Sequence, residues 1–97
     1  MPTSTETYFA VLDLARACMS RRDYSTAGAH IKEAITLDPS RPDAFNLQGA
    51  LLEIRGDWQK ARRYYRAALA FDPAYTPAQV NISRTLPWRW PGEVQLG

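Results

Sequence analysis

Ala27-Gly28-Ala29-His30-Ile31-Lys32-Glu33-Ala34-Ile35-Thr36-Leu37-Asp38-Pro39 is answered 34 residues later by Ala61-Arg62-Arg63-Tyr64-Tyr65-Arg66-Ala67-Ala68-Leu69-Ala70-Phe71-Asp72-Pro73. Alanine meets alanine at 27/61 and 34/68, and large apolar residues meet at Ile31/Tyr65, Ile35/Leu69 and Leu37/Phe71. Steps of three and four residues place Ala27, Ile31, Ala34 and Ile35 on one inward face of a helix. The proline that closes each stretch lacks an N–H and disfavours helix at the residue before it. A fixed period between 20 and 50 residues marks a stacked-repeat protein. Such a chain presents a surface, which directs attention to binding before catalysis.

Upstream, Val11, Leu14, Ala15 and Cys18 follow the same steps between Tyr8 and Met19, which predicts a first helix. Thr3 and Glu6 have capping-box spacing and would start that helix a turn early. Arg21-Arg22-Asp23 reads as a turn, with Asp23 capping a second helix from about Tyr24 to Leu37. The plan then recurs. Ser40 and Asp43 fit a cap with an acidic third position, and Pro42 suits a first turn. A third helix carries Phe45, Gly49 and Leu52 at successive turns to about Arg55. Gly56-Asp57 makes the next turn, and Trp58 to Phe71 form a fourth helix. Thr76 as N-cap and Pro77 at the first position open a fifth, running to about Leu86 before Pro87 and Pro91 break it.

This pattern resembles the tetratricopeptide repeat, a 34-residue helix–turn–helix unit with the signature W-x2-L-G-x2-Y, A-x3-F, P. In the second copy Phe45, Gly49 and Leu52 take the aromatic, glycine and tyrosine places, and Ala61, Tyr65, Ala68 and Pro73 take the rest. Gln48 departs from the usual leucine. The first copy reads Val11, Leu14, Ala15, Cys18, Ala27, Ile31, Ala34 and Pro39. The expectation is an all-α helical-repeat fold: a polar segment at 1–7, repeats at 8–41 and 42–75, a capping helix at 76–86 and a tail at 87–97. Small residues at Ala27, Ala34, Gly49, Ala61 and Ala68 let backbones approach, while Phe45, Tyr65 and Trp58 fill the gaps.

The resemblance implies that the first helix of each pair lines a concave groove. Phe9, Leu12, Arg16 and Met19 would face it from the first copy, Asp43, Asn46, Ala50 and Glu53 from the second, and Val80 and Arg84 from the last helix. Arg16, Asn46, Glu53 and Arg84 would supply polar specificity and Leu12 and Met19 apolar contact to a peptide or helix of a partner protein. Some family members clamp a C-terminal carboxylate, but Leu12, Arg16 and Leu47 stand where that clamp has lysine and asparagine. Trp88 and Trp90, flanked by prolines, offer large apolar surfaces that would dock over the last helix or into a groove, the chain's own or a second copy's. Two repeats fall short of the ~3 usually needed for stability, which makes self-association an expectation too.

The 97 residues make one domain at most, with an ordinary folded composition of 45% hydrophobic and 23% charged residues. The net charge of +2 does not demand an acidic partner. Lys60, Arg62, Arg63 and Arg66 nevertheless gather on the fourth helix, the convex back. They make a nucleic-acid or acidic-protein surface the alternative reading, although interleaved exposed aromatics are missing. The single Cys18 excludes an internal disulfide framework and occupies a core place. His30 stands alone, with no Cys or carboxylate at ligand spacing, so no metal or cofactor is expected. There is no phosphate loop and no Ser-His-Asp set, and no enzyme is expected. Neither an apolar leader nor a membrane span is legible, so a cytoplasmic protein is the default expectation.

Overall fold

A computed structural model describes residues 1–85 and 94–97. Among these residues the chain is all-helical: α1 (Ser4–Ser20), α2 (Tyr24–Leu37), α3 (Pro42–Ile54), α4 (Trp58–Phe71) and α5 (Thr76–Ser83). α1 packs on α2 and α3 on α4, while α2 touches α3, α4 touches α5, and α3 touches both α1 and α5. The odd-numbered helices thus form one layer and the even-numbered helices the other. This is a tetratricopeptide-like helical repeat closed by a short C-terminal helix.

The repeated alanines explain the close pairing. Ala27, Ala34, Ala61 and Ala68 are all fully buried, as are Ile31 and Tyr65 at the matching large positions. The start of α1 carries the capping box the spacing predicts, with the Glu6 N–H donating to Thr3 Oγ1 at 3.1 Å and the Thr3 N–H to Glu6 Oε2 at 3.3 Å. Residues 4–7 are therefore helix, within the stretch expected to be a polar leader. Asp23 and Asp57 cap α2 and α4 by accepting from Thr26 and Lys60 N–H groups. Each of those caps follows a residue of positive φ, Arg22 at 61° and Gly56 at 88°.

Four local expectations change. Ser40 does not cap α3: its N–H and hydroxyl both donate to Asp38 Oδ1, at 3.1 and 2.7 Å. Asp38 also accepts from Arg41 Nε at 2.8 Å, and the Ser40 bonds first, then Arg41, hold its carboxyl below the usual carboxylate range. Asp72 repeats this role by accepting from the Ala74 N–H. Thr76 is the first residue of α5 and not its cap, which is Tyr75 with no side-chain hydrogen bond. α5 itself stops at Ser83, and Arg84 and Thr85 turn back with hydrogen bonds to Asn81 and Ile82 carbonyls. Leu14, read as a core position, is 53% exposed. Tyr8, Val11, Leu12, Ala15, Cys18 and Met19 already fill the buried stripe of α1, and Leu14 falls outside it.

The missing cap of α3 is supplied from the other repeat. Pro42 opens the helix, and the Ala44 N–H, one of its unpaired first-turn donors, donates to the buried Tyr8 hydroxyl at 2.9 Å. Tyr8→Phe therefore strands a buried N–H and is expected to cost about 1–3 kcal/mol in a urea titration at neutral pH. The same residue gives a pH signature. Burial, ahead of all other causes, pushes the Tyr8 hydroxyl up to about 12. An unfolded tyrosine titrates near ~10, so this stabilisation is complete below about pH 10 and lost as pH rises through about 12. The wild type should lose stability across that window more steeply than Tyr8→Phe. Parallel declines would show that Tyr8 has no such role.

Candidate functional site

The layer of odd-numbered helices brings three polar side chains together. Arg16 comes from α1, Asn46 from α3 and Asn81 from α5, and both asparagines are fully buried. Buried amides need partners, and these find them partly in each other: Asn81 Nδ2 donates to Asn46 Oδ1 at 2.8 Å.

Both asparagines also bond to the main chain of residues 94–97, which lie against the same layer. The Gln95 N–H donates to Asn81 Oδ1 at 2.7 Å, and the Gln95 carbonyl accepts from Asn81 Nδ2 at 2.6 Å. One side-chain amide thus grips one residue by both its backbone groups. Asn46 Nδ2 donates to the same carbonyl at 3.1 Å, and Arg16 Nε donates to the Leu96 carbonyl at 3.1 Å. Val94 and Leu96 are half-buried against the core cluster that includes Leu12, Leu47 and Ala50, whereas the Gln95 side chain is exposed. That alternation is the period of an extended chain. Gly97 follows with φ 96°, and a Cβ there would come within 2.6 Å of the Tyr75 hydroxyl and 3.2 Å of an Arg16 guanidinium nitrogen. The Tyr75 hydroxyl oxygen is itself buried without a hydrogen-bond partner, and burial, then the Asp43 carboxylate, raises its pKa.

Behind the asparagines runs a buried ionic network. Arg84 Nε donates to Glu53 Oε2 at 3.0 Å, and the Tyr65 hydroxyl donates to Glu53 Oε1 at 2.7 Å. Arg84 also donates to Asn81 Oδ1. Glu53 and Arg84 are only 6% and 5% exposed. Burial and the neighbouring Glu53 charge together raise the Tyr65 pKa, so its hydroxyl stays a donor. The chain of contacts runs from α4 through α3 and α5 to Gln95.

The expected groove residues thus divide. Arg16 and Asn46 touch the bound segment. Glu53 and Arg84 face each other and act on the site through Asn81, because two charges this deeply buried must pair. Leu12 and Met19 are core residues and offer almost no free surface. Ala50 is buried as well, Val80 is exposed, and Phe9 packs edge-on against Tyr8 with the Arg41 guanidinium over its ring. Trp88 and Trp90 lie outside the described residues.

Asn81 and Tyr75 were not anticipated, and within the 87–97 tail the expectation of docking rests on Trp88 and Trp90 and names none of residues 94–97. For Asn81 a signal existed: it stands 34 residues beyond Leu47, the asparagine place of clamp-bearing relatives. The segment Val94-Gln95-Leu96 alternates over too few residues to be read as anything.

The basic convex stripe is interrupted. Arg62 donates through Nε to Thr85 Oγ1 at 3.2 Å and also to the Thr85 carbonyl, which ties it to the turn after α5. Lys60 and Arg63 line a shallow cleft with Phe45, Tyr64 and Ala67, and Arg66 is exposed. His30 does have a carboxylate within reach, Glu33 at 3.7 Å one turn on, contrary to the reading of an isolated histidine. No group of three or more metal-ligating side chains occurs among the described residues. Among the same residues, no helix is long and apolar enough to cross a membrane.

A family model described as tetratricopeptide repeat matches residues 42–75. Those residues are the α3–α4 pair with its flanking turns. No solved structure matches the chain.

Proposed function

Residues 42–75 being a tetratricopeptide repeat, a unit that generally mediates protein–protein interaction and is typically non-enzymatic, we propose that this chain is a peptide-binding adaptor or assembly factor. A segment of the partner protein would lie across α1, α3 and α5, with Asn81, Asn46 and Arg16 bonded to its backbone. The observation that carries this reading is the two-way hydrogen bond between Asn81 and Gln95. A site that already satisfies the N–H and C=O of an extended residue has the donors and acceptors to take any such residue. Main-chain bonds then give affinity, and the apolar floor under alternate side chains gives specificity.

The test is to pan a displayed random-peptide library on the chain and re-measure the selected peptides on variants. Asn46→Ala/Asn81→Ala should abolish their binding, and Lys60→Glu/Arg63→Glu should leave it intact. The opposite pattern would move the site to the convex cleft and to an acidic partner.

A further inference from the structure

Gly97 follows the gripped stretch directly. Asn81 holds the N–H and carbonyl of Gln95, Arg16 holds the Leu96 carbonyl, and Gly97 comes next. Its φ is 96°, in the half of backbone space where a Cβ crowds the main chain. The space beside it is closed as well. A Cβ there would lie 2.6 Å from the Tyr75 hydroxyl oxygen, inside any normal contact distance, and 3.2 Å from an Arg16 guanidinium nitrogen. Tyr75 stands at the start of α5, and its hydroxyl oxygen is buried. The two constraints are independent, and together they are specific. Positive φ alone would admit asparagine or aspartate along with glycine. The Tyr75 oxygen rejects those two, because both carry a Cβ.

Building on the groove-binding reading above, we infer that the groove takes partner segments with glycine two residues after the one held by Asn81, and that Tyr75 is the specificity-determining residue. Gly97 is the chain's own instance. A side chain at such a φ weakens the held state by about fivefold or more, and the contact with Tyr75 adds to that. The requirement concerns a single Cβ, so alanine tests it with the least other change.

Amide hydrogen exchange of Gln95 in the 15N-labelled full-length chain reads the effect in place. Gly97→Ala should speed it by at least about fivefold, with the amides of α2 and α4 unchanged. In a Tyr75→Phe chain, which keeps the ring and lacks the oxygen, the same substitution should speed it by a smaller factor. Partner segments are read from random peptides displayed on phage and selected on the wild-type chain. Those whose binding is lost with Asn81→Ala should share a glycine, and replacing it by alanine should weaken them by at least about fivefold. Arg16→Ala takes the place of Asn81→Ala if the latter does not fold. If Asn81→Ala speeds the Gln95 exchange and Gly97→Ala does not, the glycine requirement is overturned and the groove reading stands. Asn81-dependent peptides that share no glycine would have the same meaning. An equal factor in the Tyr75→Phe chain would remove Tyr75 from the role. No Asn81-dependent peptide at all would remove the groove reading and this inference together.

Discussion

Glu53→Ala should lower the stability of the chain by about 3–5 kcal/mol, the largest loss expected from any single change here. The substitution removes both carboxylate oxygens from Arg84, a buried guanidinium that keeps its contact with Asn81 Oδ1 but loses its counter-charge. It also deprives the Tyr65 hydroxyl of its acceptor. An exposed ion pair would contribute no more than about 1 kcal/mol, so the size of the effect reports the burial directly. The double change Glu53→Leu/Arg84→Met should recover much of the loss, because replacing a buried pair by apolar residues costs far less than breaking it. Urea denaturation followed by circular dichroism measures both. A loss for Glu53→Ala near that of a surface pair would show the network to be solvated.

Gly49→Ala should destabilise, although Gly→Ala inside a helix normally stabilises by about 1 kcal/mol. A Cβ at Gly49 would sit 2.6 and 2.7 Å from two ring carbons of Tyr65 and 3.1 Å from the Ala61 carbonyl oxygen. Tyr65 is fully buried and its hydroxyl is held by Glu53, so the ring cannot swing aside cheaply. Overpacking of this kind costs about 1–3 kcal/mol, which set against the propensity gain leaves a net loss of up to about 2 kcal/mol. Gly28 is the internal control. Its added Cβ would meet only Leu51 Cδ2, at an ordinary 3.6 Å, so Gly28→Ala should stabilise by up to about 1 kcal/mol. Two identical substitutions in neighbouring helices should therefore have opposite signs. Thermal melts of both variants decide it, and a stabilised Gly49→Ala would mean that α3 and α4 are not so closely apposed.

These two results probe the part of the molecule that was most legible in the sequence. The period, the two Asp-Pro pairs and the alternation of alanine with large residues specify which helix faces approach, and Ala27, Ala34, Ala61 and Ala68 are buried there. The site was legible only in part. Arg16 and Asn46 could be expected on the same layer because the repeat assigns faces to helices, and both bond to residues 95 and 96 there. The pairing of Glu53 with Arg84 could not, since it joins α3 to the turn after α5, 31 positions apart, at no multiple of the period. Periodicity reports which face a residue occupies and not which partner it meets across a helix boundary. The caps show the same limit. Ser40 had the right spacing to cap α3, but a nearer acceptor, Asp38, claims it, and a tyrosine from the first repeat does the work.

The account rests most heavily on the grip of Asn81 on an extended backbone, and the Gln95 N–H reports it. Its amide hydrogen exchange in the 15N-labelled chain should be slowed by at least about tenfold relative to the Asn81→Ala variant, with the amides of α2 and α4 equally protected in both. Equal exchange at Gln95 in the two proteins, with both folded, would contradict the claim that this groove binds main chain.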